Sequence, residues 1–396
     1  MHTVGTYPSA IVKYQPAYSH HPMPTILMLL TKTFSGDVRV SREADTLRET
    51  GFDVEIIAWN RESGRRETYE TPNKIRVHLI GPRCKTRHFL SFIVGLPRFY
   101  CNALKDAIRK KFSIVHSHDF DTLVLGFFLA RMRCAKLVYD AHESYADMVA
   151  QDAPRFLLAI IRTIEKRLIR RADMVIAAND NVGRLIGAKE FITLMSCPSR
   201  SELPLQNRDA SSCKKSNLLR LAYFGTLEPR RCILEGANAV SKSSKWCMVI
   251  GGSGTLETDV KELSSRSKNV IFLGRVPHDV ALRETAASDA VHAVSDPTNL
   301  DYRISTPLRM LEAMALSLPS IVTRDTYAAE IVQAEDCGYL AYPTEESISN
   351  VLDSLAKTSS DMIKKGANGR AAFEREYNWE RQSMKLIRAY QELLSR

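Results

Sequence analysis

The stretch IVHSHDFDTLVLGFFLARMRCAKLVYDAHE, residues 114–143, decides the architecture. A short apolar strand over Ser113–His116 runs into His-Ser-His-Asp, a helical stretch follows, and a second strand over Lys136–Tyr139 runs into Asp-Ala-His-Glu. Strand, helix, strand of this kind is a crossover between parallel strands. The same alternation extends both ways. Upstream lie a continuous apolar strand over Thr25–Leu30, a helix over Val40–Thr50 stopped by Gly51, strands over Phe52–Trp59 and Lys74–Ile80, and a helix over Leu96–Lys111. Downstream comes a strand over Met174–Ala177. Continuous rather than alternating hydrophobicity predicts strands buried on both faces, hence a parallel sheet covered by helices.

A polar stretch, Ser199–Asn217, breaks the pattern and reads as a linker. The alternation restarts with strands over Leu219–Phe224, Trp246–Ile250, Val270–Leu273, Ala290–Val294, Ser320–Thr323 and Gly338–Ala341, and ends in a helix over Trp379–Leu394. The expected organisation is a tail over 1–24, an α/β domain over 25–200, a linker over 201–218, a second α/β domain over 219–376 and a closing helix over 377–396. Open parallel sheets bind ligands beyond the carboxyl ends of their strands, which places the expected site between the two domains.

Of the 396 residues, 44% are hydrophobic and 25% charged, the balance of a globular protein. No apolar run approaches the roughly 18 residues needed to span a bilayer, and residues 1–24 lack the apolar core of a signal peptide. The expected location is the cytoplasm. The eight cysteines are scattered, with no C-x-x-C pair and no clustering with histidine, which argues against zinc and against a disulfide framework. Charge is uneven: residues 1–200 hold 30 Lys and Arg against 20 Asp and Glu, whereas 201–396 hold 25 against 25. The first half is therefore the one that should seek anions, whether nucleic acid, an anionic membrane surface or phosphorylated small molecules.

Five segments could carry chemistry. Ile250-Gly-Gly-Ser-Gly254 follows a strand and precedes a helix, so its backbone N–H groups can approach an anion, although a plain tight turn has the same sequence; it lacks the Gly-Lys-Ser/Thr of a nucleotide-hydrolysing loop. Phe224-Gly-Thr-Leu-Glu-Pro-Arg-Arg231 puts two guanidiniums at a strand's carboxyl end, where their forks match phosphate. Ser305-Thr-Pro-Leu-Arg-Met-Leu-Glu-Ala-Met-Ala315 opens a helix with Arg309 and Glu312 on one face, either as an ion pair or with Glu312 accepting from vicinal hydroxyls. Ile114–Asp121 and Val138–Glu143 deliver histidines and carboxylates to neighbouring strand ends, suited to polar recognition or proton transfer. Asp119-Phe-Asp121 has the D-x-D form of metal-dependent sugar transferases, but nothing nearby completes an oxygen cage.

Taken in order and spacing, these segments resemble the retaining glycosyltransferase family 4, of the GT-B fold: two Rossmann-like domains facing across a cleft, with a C-terminal helix crossing back. The likeness spans nearly all the chain after Pro24. It rests on Asp37-Val-Arg-Val-Ser-Arg-Glu-Ala44 with Gly51-Phe-Asp-Val-Glu-Ile-Ile57, on Ile114-Val-His-Ser-His118 and Tyr139-Asp-Ala-His-Glu143, and on Arg171-Ala-Asp-Met-Val-Ile176. In the second half it rests on Val270-Ile-Phe-Leu-Gly-Arg-Val-Pro277, Ser288-Asp289, Pro307-Leu-Arg-Met-Leu-Glu-Ala-Met-Ala315 and Tyr377-Asn-Trp379.

The resemblance implies roles by position. Glu312 would hold the donor's ribose hydroxyls. Arg231 and Arg309 would neutralise its diphosphate, Gly36, Gly225 and Gly252 would approach the phosphates, and the backbone at Arg275 and Val276 would contact the base. His118 would lie beside the donor sugar, with Asp119, His142 and Glu143 on the acceptor side. It implies transfer with retention, with no metal, no cofactor and no enzyme nucleophile. Three positions depart from the family pattern. Ile304 stands where a first glutamate is usual, Arg231-Cys232 supplies one cation of a common pair, and Ser196-Cys-Pro198 replaces Asn-x-Pro.

The partners implied are a nucleotide sugar and a glycan or lipid-linked acceptor. Arg87–Phe99 and Arg155–Arg171 mix basic and apolar residues in a way that suits peripheral contact with an anionic membrane at its inner face, or equally a helix packed on its own domain. The alternative readings are a nucleotide-sugar epimerase or a non-catalytic nucleotide-sugar binder of the same fold. No nucleic-acid recognition pattern is present.

Overall fold

The computed structural model describes residues 24–34, 37–84, 89–150, 153–204 and 218–395. Two compact units emerge. One comprises residues up to Ala141 with Asp152–Ile176 and Leu386–Arg396; the other comprises His142–Gln151 and Ala177–Lys385. The segment 177–200, read from the sequence as part of the first domain, thus groups with the second unit. Its contacts explain this: Asn179 donates to the Ile304 carbonyl at 2.8 Å, and Trp379 N–H donates to Pro198 O at 3.0 Å.

The first sheet contains β1 (Thr25–Leu30), β2 (Asp53–Trp59), β3 (Glu67–Glu70), β4 (Arg76–Ile80), β5 (Ile114–His118), β6 (Lys136–Ala141), β7 (Met174–Ala177) and β8 (Ile192–Thr193). Their order is β3-β4-β2-β1-β5-β6-β7-β8. β1 pairs in parallel with β2 (Thr25 opposite Asp53) and with β5 (Ile26 opposite Ile114). The chain therefore leaves β1 in one direction and later returns on its other side, a switch point where the strand ends open a crevice. The expected all-parallel sheet is corrected at one edge, because β3 runs antiparallel to β4 and all four of its residues are exposed. A strand with no buried face leaves no hydrophobic signature to read.

Burial follows the apolar runs. Ile26 to Leu30 are at most 1% exposed, and Trp59 is fully buried between the rings of Phe92 and Phe99, its indole N–H donating to Pro82 O at 2.6 Å. That packing also moves a helix boundary. The helix expected over Leu96–Lys111 runs instead from Phe89 to Ala107 with Pro97 inside it, because the segment before the proline lies against Trp59. A Cβ on Gly95 would meet that indole at 2.7 Å.

The second unit's sheet holds β9 (Leu219–Phe224), β10 (Trp246–Gly251), β11 (Val270–Phe272), β12 (Ala290–Ala293), β13 (Ser320–Thr323) and β14 (Gly338–Ala341), all parallel, in the order β11-β10-β9-β12-β13-β14. β9 is its switch strand, flanked by β10 and β12. The core gathers Trp246, Tyr223, Ile250 and Met248 against the helices Ile233–Ser241 and Glu345–Leu355, with Trp246 Nε1 donating to Leu352 O at 2.8 Å. Among the described residues no helix is long and apolar enough to cross a membrane. Of the cysteines, Cys84, Cys197, Cys232, Cys247 and Cys337 are buried, Cys101 and Cys134 are exposed, and Cys213 lies outside the described residues.

Candidate active site

Each unit assembles a polar group at the carboxyl ends of its central strands. In the first unit, β5 ends in His118 and β6 in Asp140 and Ala141. Asp140 Oδ2 lies 3.2 Å from His118 Nδ1. The opposite side of Asp140 takes a two-pronged contact from Arg39, with Nη2 at 2.6 Å from Oδ1 and Nε at 3.1 Å from Oδ2. Arg39 comes from the helix Val38–Glu49, whose first turn is capped by Asp37 accepting from Val40 N–H at 3.1 Å. Glu43, one turn on, is 3.0 Å from Arg39 Nε. Burial works against the charge of Arg39, but Asp140 and then Glu43 outweigh it and raise its pKa.

His116 completes the group, its ring stacked on that of His118 with centroids 4.3 Å apart. Glu43, His116, His118 and Asp140 are all buried, and one ligand atom of each lies within 4.8 Å of the others. Their donor types would suit a divalent metal. Arg39 already bridges both carboxylates, so the fold itself supplies a cation to this group.

Asp119, directly after His118, adopts φ 62°, ψ 164°, a region almost reserved for glycine, and such strain concentrates at functional positions. Asp121 follows, buried and accepting from the Thr31 hydroxyl, with Arg61 at 3.8 Å. Burial, then the neighbouring Asp119, pushes its pKa up to about 7. Gly36 lies outside the described residues. His142 and Glu143 are half-buried just beyond β6 and group with the second unit.

In the second unit, Gly225 and Gly252 extend β9 and β10. Gly225 N–H donates to Gly251 O at 3.0 Å and Gly252 N–H to Gly274 O at 2.8 Å, at φ 154° and 145°. A Cβ on Gly252 would stand 1.8 Å from Gly225 O, so only glycine permits this approach. Beside Gly225 lies Arg309, from the helix Leu308–Ala315. Its guanidinium sits 4.8 Å from the centroid of the Tyr223 ring, while Arg231 sits 4.6 Å from that of Tyr302. Among the described residues neither arginine forms an ion pair. Arg309 Nε and Nη2 and Arg231 Nε are buried without hydrogen-bond partners. Burial lowers the pKa of Arg309; Tyr223 opposes this and the charge of Arg231 adds to it.

Glu312, one turn beyond Arg309, has Oε1 3.7 Å from His278 Nε2. The two residues that the sequence puts on one helix face therefore turn to different partners. His292 lies beneath the arginines, Nε2 3.4 Å from Arg231 O, and burial followed by Arg309 holds its pKa down to about 4, so it stays neutral. Val276 packs near Gly251 and Arg275 is exposed. Sequence reading missed Tyr223, Tyr302, His278 and His292. Of these, only Tyr223 gave a usable signal, an aromatic hydroxyl in the strand leading into Gly225.

The chemistry of the second group is that of a receptor for a doubly charged anion linked to a polyol. A buried guanidinium and a half-buried one are set on aromatic faces, glycine backbone stands beside the buried one, and a carboxylate is placed to accept hydroxyls.

The Glycosyl transferase 4-like domain family matches residues 36–191, and the Glycosyl transferases group 1 family matches residues 219–358. A search of curated proteins finds no match. Among solved structures, sucrose-phosphate synthase from Thermosynechococcus elongatus superposes with TM-score 0.78 at 18% identity, covering 94% of this chain and 99% of that one. HepE from Anabaena, in complex with UDP-glucose, gives 0.68 at 14% identity over 93% and 100%. The E. coli trehalose-6-phosphate protein, bound with UDP-2-fluoro glucose, gives 0.70 at 11% over 93% and 98%. The two-domain α/β architecture is that of the GT-B glycosyltransferases.

Proposed function

Because the chain belongs to the group 1 glycosyltransferases, we propose that it moves a sugar from a nucleoside-diphosphate sugar to an acceptor hydroxyl with retention of anomeric configuration. The observation that carries this reading is the pair Arg309 and Arg231, the first buried on Tyr223 and the second half-buried on Tyr302, neither with an ion-pair partner among the described residues. A buried cation lacking a counter-ion is costly, and a bound diphosphate would remove that cost for Arg309 while pairing with Arg231 beside it.

In this scheme Gly225 and Gly252 let the donor's phosphates approach the backbone, and Glu312 accepts from the ribose hydroxyls. The backbone at Arg275 and Val276 meets the base. His118 lies beside the transferred sugar, and Asp119, His142 and Glu143 contact the acceptor. The bond from the anomeric carbon to the phosphate oxygen breaks, the acceptor oxygen bonds to that carbon on the same face, and the acceptor's proton passes to the departing diphosphate. The arginines stabilise the charge that develops there, and the protein otherwise positions the reactants, with no resident metal or cofactor. Since both matched families are transferases, the epimerase alternative is not favoured.

For the acceptor we favour a glycan or lipid-linked molecule presented at an anionic membrane surface. The helices Phe120–Arg133 and Arg155–Ile169 pack together. They expose Phe128, Met132, Phe156 and Ile160 at 61%, 51%, 69% and 47%, among Arg131, Arg133, Arg155, Arg162 and Lys166. The other segment read for this role differs: Phe92 turns inward onto Trp59, and Arg87 and His88 lie outside the described residues.

Calorimetric titration with UDP, GDP and ADP tests the central reading. One of them should bind, and Arg231→Met should weaken that binding at least tenfold, about 1.4 kcal/mol; failure of all three to bind the native protein would overturn it. Sedimentation with phosphatidylglycerol vesicles at low salt tests the membrane face, and protein left in the supernatant would remove it.

A further inference from the structure

The C-terminal helix Trp379–Ser395 reaches the polar group of the first unit through one side chain. Tyr390 is fully buried, and its hydroxyl lies 2.7 Å from His116 Nδ1. The edge of its ring packs on Phe52, centroids 5.5 Å apart at 72°. Beyond His116 the contacts close into a circuit. His116 stacks on His118 at 20° between ring planes; His118 meets Asp140, Asp140 meets Arg39, Arg39 meets Glu43, and Glu43 Oε2 returns to within 3.7 Å of His116 Nε2. All of these side chains are buried, and all belong to one compact unit.

We propose that Tyr390 is a positioning residue that fixes the tautomer and ring plane of His116 and, through the stacked rings, the orientation of His118. The proposal rests on the reading of His118 as the group beside the transferred sugar. An imidazole ring nitrogen accepts or donates according to where its one mobile proton sits, and the partner of one nitrogen decides the state of the other. Tyr390 is surrounded by protein and faces two carboxylates, so its hydroxyl keeps its proton. Given to His116 Nδ1, that hydrogen bond puts the imidazole proton on Nε2, the atom turned toward Glu43. Without it His116 can turn its proton to Nδ1 and rotate. Its face carries the ring of His118, so a change of plane in one ring displaces the other. On the far side Asp140 accepts from His118 Nδ1, which leaves Nε2 as the acceptor atom of that ring. A displacement well under 1 Å is enough to degrade a reacting geometry without weakening donor binding.

Tyr390→Phe isolates the hydroxyl, since phenylalanine retains the packing against Phe52. In protein labelled with 15N-histidine, long-range proton–nitrogen spectra should show His116 in the Nε2–H form in the native chain. In the variant the pattern should shift toward Nδ1–H, with a change at the His118 nitrogens. With the donor chosen from UDP-glucose, GDP-mannose and ADP-glucose, kcat should fall about tenfold at unchanged donor KM. Unchanged nitrogen spectra for both histidines would overturn the proposal, as would a loss of activity that tracks only the loss of folded protein in thermal melts. His116→Gln, which retains an acceptor for the hydroxyl, provides the second variant: adding Tyr390→Phe to it should cost no further kcat, and a further tenfold loss would also overturn the coupling. The reading of His118 fails separately, if His118→Ala turns over normally while the Tyr390→Phe spectra still shift.

Discussion

Arg309 stacks its guanidinium on Tyr223, 4.8 Å from the ring centroid, instead of pairing with Glu312 one turn away. A buried cation so placed costs folding stability.

Arg309→Met therefore should move two quantities in opposite directions. Removing a buried, unpaired charge should stabilise the ligand-free protein by about 1 kcal/mol or more, seen as a higher melting temperature. The added stabilisation by nucleoside diphosphate should shrink by about 1.5–3 kcal/mol, the worth of a charged hydrogen bond. Thermal melts with and without UDP, GDP or ADP read both, and a lower ligand-free melting temperature would contradict the assignment.

Glu312→Gln should leave the fold intact, since glutamine matches the shape of the 13%-exposed side chain and can still meet the exposed His278. It should abolish donor-dependent turnover. It should also reduce preference for a ribonucleoside diphosphate over its 2′,3′-dideoxy analogue, about tenfold in the native chain from one charged hydrogen bond. Competition calorimetry with the two nucleotides measures that ratio; an unchanged ratio removes Glu312 from the ribose site.

At Asp119 the backbone itself is under test. Glycine at this position relieves a conformation costing about 1–3 kcal/mol, against roughly 0.5–1 kcal/mol of extra chain entropy in the unfolded state. Asp119→Gly should raise the urea midpoint while Asp119→Asn leaves it near the native value. If the strain serves the reaction, the glycine variant loses turnover as it gains stability.

Asp121 gives a pH dependence with a definite sign. Its folded pKa, about 7, is raised above the ordinary 3.8, chiefly by burial. A raised acid contributes stability that is fully present below the unfolded pKa and is lost as pH climbs through the folded one. Unfolding free energy should therefore decline from about pH 4 to pH 7, by at most about 4 kcal/mol for this group. Asp121→Asn should flatten that decline and be the more stable protein at pH 8. Urea titrations at four pH values compare the two, and parallel curves would refute the shift.

The sequence disclosed what is periodic or local. Strands such as Thr25–Leu30 and Trp246–Ile250 are buried on both faces, so their apolar runs are unbroken; Gly225 and Gly252 sit at ends of such runs, Arg231 in the turn after one, and Glu312 in a helix whose i, i+3 spacing from Arg309 is itself local. What it could not disclose is contact across distance. Arg39 meets Asp140 across 101 positions and Tyr390 meets His116 across 274. Nothing in the periodicity of either segment names the partner. Tyr223 was missed for a related reason, since an aromatic residue in a buried strand reads as core until a guanidinium is found on its face, and Tyr302 sits in a five-residue helix, Leu300–Ile304, too short to show a period.

Tyr390 comes after the last described strand, yet its hydroxyl adjoins the buried imidazoles of β5. During synthesis the sheet built from β1 to β6 emerges long before that tyrosine is joined to the nascent polypeptide. The histidine cluster consequently stays unfinished until residue 390 has been added, and a product truncated between Ala341 and Tyr390 would carry every described strand and still lack the contact that completes it.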